Sequence, residues 1–398
     1  MASKGASPVS SDFDEIIKIM WGNEVKEEVF QRWKQGFRFS SDEPTALLQH
    51  EGGPCAVIAP VQAFILKSLI AADTTNWREL ESDIVTKLLI RALCEILHQA
   101  YAGNKYILEE RKGEVSPECE SVPLSRIQGD HSYFHSQLRT TSFESTEEVE
   151  AYYLERIDML RETFGVLLFL YSVVCTKGIE ALHCEVADPL EPLIDGEFGY
   201  GSQSLINLMI TGRAVAHVWN YDQDIGGLKL LGINKQSSVG FLALLEHMRY
   251  CEVGSFLKNP INPVWVLASE THLTVLFSFE KRLVSTETPS EVARRVFKSF
   301  DPEGNNFIAA DLLQDVLSML EIMRKKLDSE NLGIILLSSF MDEFFPEEVE
   351  VMFQEGQAVL LESNVSSVAE SNSMLTCIQT KWPSIEIQWS SGITPSLN

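Results

Sequence analysis

The sequence predicts an α+β fold, and three observations carry that prediction. Apolar residues recur at helical spacing through the first part of the chain. From Pro263 onward the pattern shifts to short β-branched and aromatic runs. Composition is globular, 45% hydrophobic and 22% charged over 398 residues, enough for one large core or two to three modest domains.

Residues 13–21 place Ile16, Ile17, Met20 and Trp21 at helical spacing, and a second short stripe holds Val25, Val29, Phe30 and Trp33. A polar turn at 40–44 leads into the segment 47–69. Residues 77–102 predict a helix striped by Ile84, Leu88, Leu89, Ala92, Leu93 and Ile96. Residues 109–130 are polar and acidic, with Gly113, Pro117 and Pro123, which predicts an exposed loop. Residues 145–164 predict a helix with an acidic face. It leads into 165–175, the most apolar run, far short of the ~20 residues that span a bilayer and so a buried helix or strand. A turn-rich break at 196–201 precedes a helix over 202–208, and 237–249 again looks helical. The runs 264–269 and 273–279 read as strands around Glu270-Thr271-His272. A helix–loop–helix pattern follows between 291 and 326. Residues 378–389 alternate like a strand, with Pro383 marking an edge or bulge. No internal repeat is visible.

Charge narrows the function classes. Asp and Glu number 57 against 32 Lys and Arg, a net charge of −25. Nucleic-acid binding needs clustered basic residues, which this sequence lacks, so nucleic acid is excluded as a partner and basic partners are favoured. Residues 1–15 lack the basic-then-apolar order of a signal peptide, and no membrane association is expected. The seven cysteines include no pair at zinc-knuckle or thioredoxin-like spacing. The expectation is a soluble chain in a reducing compartment, with no metal and no cofactor.

The segment Gln49-His50-Glu51-Gly52-Gly53-Pro54-Cys55 carries the chemistry. Two glycines and a proline run directly into an apolar helical pattern, so Cys55 falls in the first helical turn. Unsatisfied N–H groups and the macrodipole there favour a thiolate, the reactive form of cysteine. Gly52 and Gly53 allow close main-chain approach, and Gln49 could add a side-chain donor to an oxyanion. The alternative is a packed structural thiol, since free cysteine is among the most buried residue types. Pro60, lacking its N–H, is expected to kink the early turns of this helix.

A cysteine nucleophile needs a base, and the sequence has eight histidines. His98 and His247 lie in helical patterns, His131 and His135 in a polar loop. His183 neighbours Cys184 without ligand spacing, His217 sits in an apolar stretch that suits a core residue, and His50 flanks the motif. His272 stands where one apolar strand ends and the next begins, a rigid mount for a base. A hydrogen-bonded turn histidine is the alternative there.

Residues 49–64 (QHEGGPCAVIAPVQAF) resemble the nucleophile segment of the MINDY deubiquitinases. Gly201-Ser202-Gln203-Ser204-Leu205-Ile206-Asn207-Leu208, Thr211-Gly212-Arg213-Ala214-Val215, Glu270-Thr271-His272-Leu273-Thr274-Val275 and Gln379-Thr380-Lys381-Trp382-Pro383 match as well, and together they look closest to the third branch of that family. The resemblance implies a cysteine isopeptidase with a distant, helix-rich papain-like plan. It would cleave polyubiquitin, preferring chains joined through lysine forty-eight of ubiquitin, in nucleus and cytoplasm. Cys55 would be the nucleophile, His272 the general base and acid, and Gln49 the oxyanion donor. No third, His-orienting residue carries over, although Glu270 and Thr274 lie nearby. The implied partners are polyubiquitin chains and ubiquitinated proteins; a catalytically silent chain-binding scaffold is the alternative.

The third branch also resembles a carrier of a calcium-binding-like insert. Residues 301–312 follow helical Val292, Val296 and Phe300 and precede Leu313, Val316 and Leu320. Asp301, Glu303 and Asn305 suit loop positions one, three and five, and Ile308 the apolar eighth. The sixth position is Asn306 in place of Gly, and the twelfth is Leu312 in place of the bidentate Glu. The expectation is a metal-free EF-hand-like hairpin, with a calcium-responsive adaptor as a further alternative. The domains expected are a flexible 1–12, a catalytic 13–290, an insert at 291–326 and a return to the catalytic domain over 327–398.

Overall fold

The computed structural model describes residues 11–72, 76–103, 105–111, 131–186, 191–284, 293, 296–297, 300–301, 307–320, 334–344, 358–361, 373–383 and 385. Helices α1 (Ser11–Trp21) and α2 (Glu27–Trp33) come first, then the paired short strands β1 (Arg38–Phe39) and β2 (Leu47–Leu48). Helix α3 (Cys55–Ala71) lies at the centre. It is apolar around nearly its whole circumference and buried accordingly. Pro60 stands inside α3, which runs on to Ala71.

Around α3 pack α4 (Ser82–Ala100), the antiparallel hairpin β3 (Tyr106–Arg111) and β4 (Leu138–Phe143), and α5 (His131–Gln137), α6 (Thr146–Glu155) and α7 (Ile157–Arg161). The apolar run becomes α8 (Gly165–Lys177), a buried helix whose Ser172 and Thr176 hydroxyls accept from the Glu109 and Ile107 amides of β3, each at 2.9 Å. After α9 (Ile179–Glu185), helix α10 (Gln203–Thr211) starts at Ser202, whose hydroxyl caps the Leu205 amide at 3.3 Å. The hairpin β5 (Gln223–Ile225) and β6 (Leu228–Leu230) follows.

The second layer is a four-stranded sheet ordered β12 (Ala358–Leu361), β9 (Leu273–Ser278), β8 (Val264–Ala268) and β7 (Gly240–Ala243). β7 runs parallel to β8, and the other pairings are antiparallel. Period-two alternation splits its side chains cleanly. Phe241, Val264, Val266, Val275 and Phe277 join the helical core around α3, whereas Leu242, Trp265, Leu267 and Leu276 meet Met374, Cys377 and Ile378 of α15 (Ser373–Gln379). Both faces are covered, so β7, β8 and β9 are buried throughout. Short helices α11 (Leu244–His247) and α12 (Ser255–Lys258) flank β7.

A separate small core joins Ala293, Val296 and Phe297 to β10 (Phe307–Ala309), α13 (Leu313–Met319), β11 (Ile334–Leu336) and α14 (Leu337–Phe344). β10 and β11 pair antiparallel with Ile308 opposite Ile335, so this core extends past residue 326.

Several sequence expectations change. Residues 240–243, read as helix, form a strand, because a segment apolar on both faces carries no usable period. Ile378 and Gln379, read as strand, end helix α15. Glu109 to Arg111, read as exposed loop, pair in β3 with the Glu109 side chain buried, while 112–130 lie outside the described residues. His131 and His135 belong to a helix, and the His135 ring nitrogen meets the Tyr171 hydroxyl at 2.6 Å. Ile84 points outward, 44% exposed, off the buried stripe of α4. Among the described residues no single helix is long and apolar enough to cross a membrane.

Candidate active site

A cleft of about 400 Å³ opens where the start of α3 meets the β8–β9 turn, and Cys55 and His272 both line it. The loop before Cys55 is held from several sides. The Gln62 side chain, two turns further into α3, accepts from the Leu47 amide at 2.7 Å and donates to the Thr45 carbonyl at 2.9 Å. Gln35 accepts from the His50 amide at 2.8 Å and donates to the Glu51 carbonyl at 3.1 Å. Gly53 adopts φ +131°, and a side chain there would meet the Trp33 indole nitrogen at 2.9 Å. That indole donates to the Gly199 carbonyl at 2.8 Å. Gly201 backs against the first turn of α3, and a Cβ on it would sit 2.2 Å from the Ala56 methyl.

The Cys55 thiol is 5% exposed and lies 3.8 Å from the Gly53 carbonyl, its hydrogen-bond acceptor. Burial pushes it up to about 11, and the main-chain N–H groups of Leu273, Ala56 and Cys55 itself pull it back toward the thiolate. Burial also holds the His272 imidazole below its usual range, so it is neutral near pH 7. His272 is fixed by its turn. The Ser269 amide donates to the His272 carbonyl at 3.0 Å, and the Ser269 hydroxyl accepts from the Thr271 and His272 amides at 3.3 and 3.0 Å. Neither Glu270 nor Thr271 takes a positive φ, so the Ser269 hydroxyl closes a tight turn that lacks the usual glycine or asparagine.

Gln49 is buried and does not line the cleft; its amide nitrogen donates to the Glu51 carbonyl at 2.9 Å. His217 lines the cleft, where it stacks on Trp219 with ring centroids 3.9 Å apart and planes 12° from parallel. Burial lowers the His217 pKa too. The Asn207 amide fixes this wall, donating to the Val215 and His217 carbonyls at 2.7 and 3.1 Å, while its oxygen accepts from Gln203 at 3.0 Å. Tyr250, 77% exposed, stands on the rim. His50 is exposed, and His98 and His183 bond elsewhere, to Tyr106 at 2.9 Å and to Glu15 at 3.3 Å.

The structure brings Cys55 and His272, both singled out from the sequence, to one cleft, and three groups that support its walls were not singled out. Gly201 and Asn207 lie in the quoted stretch 201–208, where an unexplained glycine beside an amide was the available signal. Gln35 gave none, because its role exists only once the 49–54 loop folds over it.

A family described as "Deubiquitinating enzyme MINDY-3/4, conserved domain" matches residues 18–304. The chain is 47% identical to the "Ubiquitin carboxyl-terminal hydrolase MINDY-3 homolog" of Drosophila melanogaster, over 96% of this chain and 82% of that protein. It is 42% identical to human "Ubiquitin carboxyl-terminal hydrolase MINDY-3", over 96% of this chain and 99% of that protein. To "Probable ubiquitin carboxyl-terminal hydrolase MINDY-4" of Xenopus tropicalis it is 32% identical, over 68% of this chain and 37% of that protein. No solved structure matches the chain. With the family match spanning most of the chain and the relatives aligned almost end to end, the chain belongs to the MINDY-3/4 family of deubiquitinating enzymes.

Proposed function

We propose that the chain hydrolyses isopeptide bonds in polyubiquitin, with preference for chains linked through lysine forty-eight, by a cysteine mechanism. The observation that carries this reading is a buried helix-terminal thiol and a turn-mounted neutral imidazole lining one cleft. His272 takes the proton of Cys55, the sulfur attacks the isopeptide carbonyl, and the imidazole then protonates the departing lysine amine. Water hydrolyses the resulting thioester, with His272 again as base. The main-chain N–H of Cys55, which favours the thiolate before attack, turns to the oxyanion once the sulfur has bonded to carbon, and Gln49 joins it after releasing the Glu51 carbonyl. Trp219 and His217 offer a flat aromatic wall to the substrate tail.

The finer fold assignments belong to the same reading. A nucleophile at the start of a buried helix, packed on an antiparallel pair that carries the histidine, supports a distant papain-like plan. The Ile308–Ile335 pairing supports an EF-hand-like insert with two loops, since eighth-position residues of paired loops face each other this way. Asp328 precedes Ile335 by the same spacing as Asp301 precedes Ile308, and Gly333 occupies the sixth position.

The test is cleavage of ubiquitin tetramers of each linkage by the wild-type chain and by three variants. The expected result is cleavage concentrated on the lysine-forty-eight tetramer. Cys55→Ala abolishes it, His272→Ala lowers kcat by at least about a hundredfold, and His217→Phe, which keeps the stack, leaves kcat within about threefold. Chains that bind without being cut by the wild type would favour the scaffold. Equal losses in the two histidine variants would move the base assignment.

A further inference from the structure

We propose that the main-chain N–H of Leu273 is a catalytic hydrogen-bond donor to the Cys55 sulfur, so that one strand end supplies both the base and a ligand for the thiolate. The inference rests on the reading of Cys55 as nucleophile and adds a group that the reading does not contain.

Strand register sets the direction of this N–H. The Ser278 amide donates to the Pro263 carbonyl at 2.9 Å, and the Ser269 amide donates to the His272 carbonyl at 3.0 Å. These bonds fix the phase of the β8–β9 ladder, in which hydrogen-bonded and non-bonded pairs alternate. Residues 272, 274, 276 and 278 of the second strand therefore bond toward β8. Leu273, opposite Ala268, falls in a non-bonded pair, and its N–H points away from β8. On that side β9 pairs with β12, but among the described residues the pairing ends at Leu361 opposite Val275. Among the described residues the Leu273 N–H is thus the first on that side of β9 beyond the paired stretch, and it faces the end of the sheet where Cys55 and Leu273 together line the cleft. Its effect on the sulfur has the sign of a donor: it pulls the thiol toward ionisation, alongside the helix-terminal amides of Ala56 and Cys55.

The chemistry explains the arrangement. A thiol this buried ionises only if fixed dipoles replace the water it has lost. Helix α3 supplies two N–H groups from one side. Leu273 supplies a third from the element that carries His272, so the charge on sulfur appears where the proton acceptor already stands. As His272 removes the proton, the donor strengthens its bond to the developing anion. No step changes its atom or electron balance, because the N–H keeps its proton throughout.

The experiment replaces Leu273 by its α-hydroxy analogue in the full chain, which turns the His272–Leu273 amide into an ester, deleting this N–H and weakening the His272 carbonyl as acceptor from Ser269. Alkylation of Cys55 by iodoacetamide, followed on the Cys55 peptide by mass spectrometry, is expected to slow about tenfold at pH 8, equivalent to about one unit in thiol pKa. Cleavage of the lysine-forty-eight tetramer is expected to lose about tenfold in kcat with KM unchanged. An unchanged alkylation rate overturns the proposal. Slower alkylation with unchanged kcat overturns its catalytic part. The alkylation readout needs no turnover, so it decides the donor even if Cys55→Ala still cleaves chains and the nucleophile reading falls. If the ester chain does not fold, the Leu273 amide in ¹⁵N-leucine-labelled protein decides instead. Its proton should move downfield as Cys55 ionises above pH 8 and stay still in Cys55→Ser, and a resonance fixed in both chains overturns the assignment.

Discussion

Cys55 stands under two opposed influences, and their balance sets how the free protein reacts. Burial raises its pKa to about 11, while three main-chain N–H groups work the other way. His272 is shifted in the opposite sense, downward, also by burial. Near pH 7 the pair is therefore thiol and imidazole, not thiolate and imidazolium. A raised thiol pKa means that thiolate accumulates only as pH climbs toward that value, about tenfold per unit. Alkylation of Cys55 in the free chain should accordingly rise about tenfold per pH unit from 7 to 10. A plateau beginning below pH 7 would show a preformed ion pair and remove this account. At this scale much of the site was legible. A thiol after Gly-Gly-Pro announces a helix start, and a histidine between two apolar runs announces a turn. The Leu273 donor was not legible, because the direction of a main-chain N–H depends on ladder phase and not on residue type.

Among the elements, α3 was the easiest to read and β7 the hardest. The first has glycine and proline before it and length to declare itself a helix. The second is four residues, buried on every side, and its strand character comes only from lying parallel to β8. What the sequence hid most completely was how closely elements approach. The start of α3 touches the segment leading into α10 at one point, where Gly201 faces the Ala56 methyl. A methyl at residue 201 would sit 2.2 Å from that carbon and 3.0 Å from Leu205 Cδ2. The leucine can rotate away, but the alanine is fixed to the helix turn that presents Cys55. Gly201→Ala should therefore displace that turn, destabilising the chain by about 1–3 kcal/mol and lowering kcat by more than about tenfold. Ala56→Gly in the same chain removes the opposing methyl and should restore most of both losses. The pair of melting temperatures and the pair of tetramer-cleavage rates check this, and a double variant no better than Gly201→Ala would place the damage elsewhere.

For the whole molecule the question is what the second core does to the first. Its residues come between β9 and β12 in sequence, yet those two strands pair, so the chain leaves the sheet, builds a separate core and returns. Of the helix–loop–helix pattern expected between 291 and 326, the described residues include the second helix, α13. The partner strand β11 was missed, since a three-residue pairing has no period of its own. That pairing bears on metal dependence. In an EF-hand the twelfth-position Glu gives a calcium ion two oxygens, and in the EF-hand-like reading proposed above that position falls on Leu312, packed against the small core. By the spacing from Ile335, the twelfth position of the second loop is Ser339. Apolar packing around Ile308, Ile335, Phe297 and Phe340 builds this core, and the expectation from a loop without that glutamate is weak calcium binding at most. Were calcium bound with a dissociation constant of about 10 μM, 1 mM calcium would add about 2.7 kcal/mol and raise the melting temperature by several degrees. The expected outcome is a shift under about 1 °C between 1 mM calcium and excess chelator, with unchanged cleavage of the lysine-forty-eight tetramer. A rise of several degrees would mean that main-chain and side-chain oxygens of these loops hold the ion without the glutamate, and would make the insert a calcium-responsive part of the enzyme.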